Sequence, residues 1–391
     1  MLAGDLDLTA TQLGTLSSLY FYAYGALQVP VGVVTDKFGV RKITTAGMLA
    51  IAVGSLLFAV AGGRSLAYLG RLLLGLGSAV FFISILKIIS IWFPPEYNTK
   101  LLGWTSLIGN FGALLAATPY SLFLGLMDWR SSYLIFGAGG LCMAGFIWKI
   151  VRDNPRDMGM EPEHSIKEED KSFASIIKGV KKIAGSLQFW QYFFVVMILV
   201  GSVMSLSGLW LIPYMMHVFN FSRDAASSLV VVITLGLLVG SSLLGWMESK
   251  IKSRILMLRI VLTFNILFWF YIIVPAGGRP PFQILMLLLF FAGAIGIMAM
   301  VSFTSVRNMF PRFKGSVSGV LNIAPFLGTI IFNFLIGWRL DASWTGEIMD
   351  GSRVYSLTGY RQGFSVILIL LLAALAVSFN IKEGEEQGQQ P

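Results

Sequence analysis

The spacing of the charges limits this chain more than any other feature. Asp, Glu, Lys and Arg are absent from 8–35, 43–63, 101–127, 225–247, 280–306, 315–338 and 362–381. Two slightly shorter gaps are 131–148 and 260–278, and 183–222 is long enough for one span plus an amphipathic approach. A further apolar stretch, 65–93, carries only Arg71 and Lys87. A helix needs about 20 apolar residues to cross the hydrocarbon core. The pattern therefore predicts eleven membrane spans. Backbone groups left unpaired in lipid restrict spanning structures to helices and closed barrels. These runs are continuously apolar, without the alternation of barrel strands, so helices are expected.

The chain carries 29 Lys and Arg against 20 Asp and Glu, a net charge of +9. With the loop containing Asp36–Lys42 placed inside and sides alternating from there, nineteen cations fall inside and seven outside. That asymmetry obeys the positive-inside rule. The basic excess thus reports topology, and no nucleic-acid partner is expected. Cys142 is the only cysteine, which excludes an internal disulfide and a cysteine metal cluster. With only His164 and His217, a histidine-rich metal site is excluded too. No metal and no cofactor are expected. Residues 1–10 hold no Lys or Arg, so no signal peptide is read there. No P-loop and no hydrolase or kinase constellation is present, so the chain is not read as an enzyme.

The one long polar stretch, 149–182, reads as an inside linker with a short surface helix. It separates an N-terminal bundle of five spans, 1–148, from a C-terminal bundle of six, 183–381. The tail 382–391 is expected to be disordered. The two halves read as repeats. GVVTDKFGVRK aligns with GWMESKIKSR at an offset of 213, bringing Gly32 onto Gly245, Lys37 onto Lys250 and Arg41 onto Arg254. Gly103 and Gly112 fall on Gly319 and Gly328 at an offset of 216. The second half sets its loop after two spans and the first half after one, so the first half is expected to be one helix short at its start.

GVVTDKFGVRK fits a loop pattern of the major facilitator superfamily at Gly32, Asp36, Lys37, Gly39, Arg41 and Lys42. GRLLLGLG resembles that family's fourth-helix motif through Arg71, Gly75 and Gly77. IWFPPE, DWR and RDNPRDMG resemble segments of its bacterial organic-anion and sugar-phosphate porters. The resemblance covers essentially the whole chain. It implies an all-α integral membrane fold of two pseudo-repeated six-helix bundles, here with 11 helices because the first is missing. In that family a segment like MLAGDLDLTATQLG follows the first helix, so Met1 reads as an internal or mis-chosen start, or a true truncation. The implied location is the bacterial inner membrane, with linker and C-terminus cytoplasmic. Phosphate-ester carriers of the family use arginines in the first and seventh helices. The first is absent here, and 183–222 contains no Lys or Arg, which weakens a sugar-phosphate assignment.

The resemblance implies that the loop motif gates the conformational cycle. Asp36 is expected to meet Lys37, Arg41 and Lys42, and Gly32 to admit a close neighbouring helix. In the second half, Gly245, Glu248, Lys250 and Arg254 form the matching motif. Arg71 and Lys87 are charges inside a span. Such residues face a cavity or a partner, or else snorkel to the interface. Sixteen residues separate them, about 160° around a straight helix, so they are not expected to share ligand atoms. Ser17, Tyr20, Tyr24 and Gln28 form a polar stripe for cavity lining or helix packing. Asn322, Thr329 and Asn333 form another, and Asn110, Trp210 and Tyr214 are further candidates. His217 reads as an interface residue. No carboxylate sits in mid-span, and two cations without a buried anion favour an anionic substrate. The reading is a monomeric secondary transporter of a small organic anion in the lipid bilayer, with a proton or counter-anion as coupling partner. The alternatives are drug or metabolite efflux and a non-transporting sensor.

Overall fold

The computed structural model describes residues 2–28, 30–116, 119, 120, 123, 126–159, 173–251, 253–349 and 351–382. The chain divides into two compact units, one holding the residues up to Leu6 and Leu19–Ser175, the other Asp7–Ser18 and Ile176–Pro391.

In the first part of the chain, α1 (Ala10–Leu27) is followed by α2 (Pro30–Phe38), α3 (Val40–Ala59), α4 (Arg64–Trp92), α5 (Asn98–Leu115) and α6 (Trp129–Ile150). Pro30 suits the first position of α2, because its missing N–H would have no helical partner there. Helix α3 lies against both α4 and α6. The glycines of GRLLLGLG explain the closeness. A Cβ on Gly70 would stand 2.8 Å from the Gly54 carbonyl oxygen of α3, and Cβ atoms on Gly77 and Gly75 would strike the carbonyls of Gly47 and Tyr20. The motif is thus a backbone-packing surface toward two helices. Asp128 caps α6 by accepting the Ser131 N–H at 2.8 Å. Hydrogen bonding from Ser131 holds its carboxyl below the usual carboxylate range.

The second part contains α7 (Phe173–Ala184), α8 (Leu187–Ser205), a π-helical turn at Leu206–Trp210 and α9 (Leu211–Phe219). Then come α10 (Arg223–Lys250), α11 (Arg254–Ile273), α12 (Phe282–Met298), α13 (Met300–Met309), α14 (Lys314–Leu321) and α15 (Ile323–Ala342). A two-stranded hairpin, β1 (Ile348–Met349) and β2 (Ser352–Arg353), pairs antiparallel ahead of α16 (Leu357–Ser378). The wide turn follows from Pro213, which cannot donate to the carbonyl four residues earlier at Leu209. Ser186, Ser222, Ser253 and Ser356 cap α8, α10, α11 and α16. The core of this unit is built from α8, α15 and α16, with Phe189, Tyr214, Phe332, Tyr360 and Phe364 among its most buried side chains.

Eight helical stretches among the described residues are long and apolar enough to cross a membrane. Of the other three expected spans, 8–35 starts a new helix at Pro30, 280–306 breaks at Ala299, and 101–127 lies partly outside the described residues. The outward side chains are apolar: Ile108 is 69% exposed and Phe111 62%. Such a surface suits lipid and is too extensive for water. The fold is an all-α membrane protein. Residues 160–172 of the expected linker and the tail from 383 lie outside the described residues.

Candidate functional site

The loop motif resolves into two arrangements, both inside the first unit. Asp36 does not meet the cations of its own loop. Its Oδ1 lies 2.7 Å from Lys87 Nζ, and that ammonium also donates to the Thr35 carbonyl at 2.9 Å. This corrects the expected Asp36 partners, and it gives Lys87, a candidate substrate contact, an anionic partner within the protein. Lys37 lies 5.3 Å from the Phe38 ring, and Lys42 is exposed. Arg41 turns to the end of α6, donating through Nε to the Trp148 carbonyl at 2.7 Å and stacking 4.2 Å from the Trp148 ring.

Gly39 makes that turn possible. Its φ of 86° and ψ of 155° lie in a region open essentially to glycine alone. A Cβ there would stand 2.5 Å from the Asp153 carboxylate. Asp153 accepts the Arg41 N–H at 2.9 Å, a negative group at the start of α3 where the helix dipole favours it. Asp153 and Trp148 were not singled out from sequence, although Asp153 lies in the RDNPRDMG segment. Gly32 differs from expectation: no described atom lies within 4 Å of where its Cβ would sit, so no close helix approach is made there.

Arg71 is half-buried in α4. Its guanidinium lies 5.1 Å from the Phe58 ring, and its Nε is buried without a hydrogen-bond partner. Among the described residues no carboxylate pairs with it. Tyr20 and Tyr24 stack at 5.9 Å with their planes 20° apart, and Gln28 Nε2 donates to the Tyr24 carbonyl at 3.4 Å. A cleft of about 190 Å³ lined by Leu27, Val31, Ile43, Leu76 and Val80 is purely apolar and offers an anion nothing. The Asn110 side chain lies outside the described residues.

In the second unit Asn333 is fully buried and accepts the Ser205 hydroxyl at 2.7 Å, leaving its Nδ2 without a partner. Trp210 is also buried, with an unpartnered Nε1 in the π-helical turn. Tyr214 donates to the Gly278 carbonyl at 2.5 Å and packs on Tyr360 and Phe364. The structure therefore places Tyr214 in the core. His217 Nδ1 lies 2.9 Å from the Tyr360 hydroxyl. The Thr329 hydroxyl turns back to the Pro325 carbonyl, and Asn322 marks the break between α14 and α15. In the second-half motif Gly245 and Glu248 lie within α10, the Glu248 side chain being outside the described residues, Lys250 is exposed and Arg254 opens α11. Arg259 was missed from sequence because it stands at the edge of an apolar run. It donates to the Ser378 carbonyl at 3.0 Å and lies 4.8 Å from the Phe379 ring.

The described residues thus form a polytopic helical fold with an arginine inside a span and a charge cluster at a helix end. The chain belongs to the Major Facilitator Superfamily, whose family description matches residues 1–333. It is 26% identical to the hexuronate transporter of Bacillus subtilis over 153 residues, 39% of this chain and 36% of that one. It is 28% identical to the quinolone resistance transporter of Acinetobacter baumannii over 155 residues, 38% of this chain and 36% of that one. The phosphoglycerate transporter protein of Salmonella typhimurium matches at 23% over 374 residues, 85% of this chain and 77% of that one. The chain spans about a third of the length of the first curated relatives it matches. A solved bacterial homologue of the human lysosomal transporter Spinster, inward-facing and unoccupied, superposes with a TM-score of 0.73 at 18% identity. That match covers 97% of this chain and 91% of the other, and it supports the fold.

Proposed function

We propose that this chain is a secondary transporter of a small organic anion, working by alternating access, with Arg71 as the anion contact. The observation that carries this reading is the Arg71 guanidinium itself: set within a membrane helix, with a buried Nε that no described group satisfies. An intramembrane charge without a protein partner is costly unless a ligand or water completes it. The names of two relatives, a hexuronate and a phosphoglycerate transporter, describe molecules that are anions at neutral pH. The Asp36–Lys87 pair and the Arg41–Asp153–Trp148 cluster are read as the gate. The linker and C-terminus are read as cytoplasmic. A second reading, drug efflux, draws on the quinolone-resistance relative.

The test is binding of glucuronate, galacturonate and 3-phosphoglycerate to purified protein carrying Arg71→Ala or Arg64→Ala. Losing a charge-assisted hydrogen bond costs about 1.5–3 kcal/mol. At about 1.4 kcal/mol per decade, Arg71→Ala should weaken binding roughly ten- to hundredfold. Arg64→Ala, at the start of α4, should bind like the parent. Equal affinities for the parent and Arg71→Ala would remove Arg71 from the site. Binding of a quinolone with no anion bound would favour efflux.

A further inference from the structure

Arg259 repeats in the second unit an arrangement that Arg41 makes in the first. Each donates to a carbonyl at the end of a helix, Arg41 to Trp148 of α6 at 2.7 Å and Arg259 to Ser378 of α16 at 3.0 Å. Each guanidinium also lies over an aromatic ring there, Trp148 at 4.2 Å and Phe379 at 4.8 Å. The surroundings differ. Asp153 brings a carboxylate to the Arg41 backbone. Among the described residues no carboxylate pairs with Arg259, and its Nε is buried without a hydrogen-bond partner. The described charges closest to it along these segments are cations. Arg254 opens α11, and Lys382 follows Ser378 by four residues. The Lys382 carbonyl accepts Gln188 Nε2 at the start of α8, while its side chain stays exposed. This end of the second unit thus carries positive charge that the described residues leave unneutralised.

The surface beside that charge is apolar. Phe379, the ring under Arg259, is 64% exposed, and Leu256 and Phe264 of α11 and Leu372 of α16 also face outward. Helices α11 and α16 pack against each other, so the two outward faces adjoin the same guanidinium. Charge at one end and apolar surface along the helices match a molecule with an anionic head and long chains. A guanidinium suits a phosphate because its planar fork presents paired donors. In the orientation read above, this end lies at the inner leaflet, where basic pockets between helices take anionic lipid headgroups.

We infer that the end of the α11–α16 pair binds an anionic diacyl phospholipid, with Arg259 meeting the headgroup phosphate and Lys382 adding charge. The inference goes beyond the transport reading, and its test needs neither a substrate nor an assigned orientation. Native mass spectrometry of the purified full chain in detergent compares bound dioleoyl phosphatidylglycerol with dioleoyl phosphatidylcholine. The parent should hold one phosphatidylglycerol about tenfold more tightly, a difference of about 1.4 kcal/mol, and Arg259→Gln should lose most of that preference. Lys382→Gln should lose part of it, and it keeps the test open should Arg259→Gln fail to fold. Lys181→Gln, at an exposed lysine of α7, should bind like the parent. Equal retention of the two lipids by the parent would overturn the inference. Equal loss in Lys181→Gln would overturn it as well, because any basic surface would then serve. sn-Glycerol 3-phosphate, which has the phosphate without the chains, should not displace the lipid, and displacement would make this a site for free phosphate instead. Replacing Glu383, Glu385 and Glu386 together by Gln should change nothing. Phosphatidylglycerol bound only in that triple variant would give Arg259 to the chain's own tail and overturn the inference. Failure of every substrate anion to bind the parent protein would count against the anion reading alone.

Discussion

Arg71 and Lys87 lie on one helix and carry the same charge, yet the structure gives them opposite circumstances. Lys87 has a carboxylate at 2.7 Å, whereas Arg71 has an aromatic ring at 5.1 Å and an unsatisfied Nε. Sequence made both candidates, because a charge in an apolar run is visible while the partner that neutralises it comes from elsewhere in the chain. Sixteen residues apart, they stand about 160° around a straight helix from each other. If Arg71 holds a carboxylate through its planar fork, Arg71→Lys should recover only part of the affinity lost in Arg71→Ala, since lysine keeps the charge without the paired donors. Titration of the same three anions against the three proteins checks this, and full recovery by lysine would mean that charge alone matters. At Gly39 the expectation concerns stability. Its backbone region costs a non-glycine residue about 1–3 kcal/mol. The Asp153 carboxylate 2.5 Å from a would-be Cβ adds a steric clash. Gly39→Ala should lower the melting temperature in detergent, whereas Gly32→Ala, whose Cβ would meet open space, should change it little.

At the scale of elements, the motif ties the end of α2 to α4 through Asp36 and Lys87, and the start of α3 to the end of α6 through Asp153 and Arg41. The sequence showed the cluster but not its division, because loop charges look like natural partners when only neighbours along the chain are known. Replacing Asp36 by Asn should slow transport while leaving anion affinity largely intact. The Asp36–Lys87 pair is partly exposed, with side-chain accessibilities of 42% and 24%. A double-mutant cycle with Lys87→Met should therefore return a stability coupling of only about 0.2–1 kcal/mol. Loss of binding in folded Asp36→Asn would assign this pair to the substrate site. Helix interruptions divide in the same way. Pro30 can be read as a break directly, and Pro213 accounts for the π-helical turn once its missing donor is considered. The break at Ala299 has no proline or charge to announce it.

For the whole molecule, charge spacing alone led to a helical membrane protein, and the loop motif led to its family. Both are long-range regularities that a single sequence displays. The capping of α1 by Asp341 was not legible, because that carboxylate comes from a residue more than 300 positions away along the chain. Topology remains an expectation with a direct check. Cysteines placed at Ser165 and Ser352 should label from opposite faces of sealed membranes, with Ser352 reached from outside. Labelling of Ser165 only from outside would invert the proposed orientation. The most direct measurement of the central proposal is counterflow in proteoliposomes loaded with unlabelled glucuronate, galacturonate or 3-phosphoglycerate. The account predicts transient, saturable accumulation of at least one labelled anion, none of neutral glucose, and loss of the signal in Arg71→Ala. Accumulation of glucose or a quinolone with every anion excluded would contradict it.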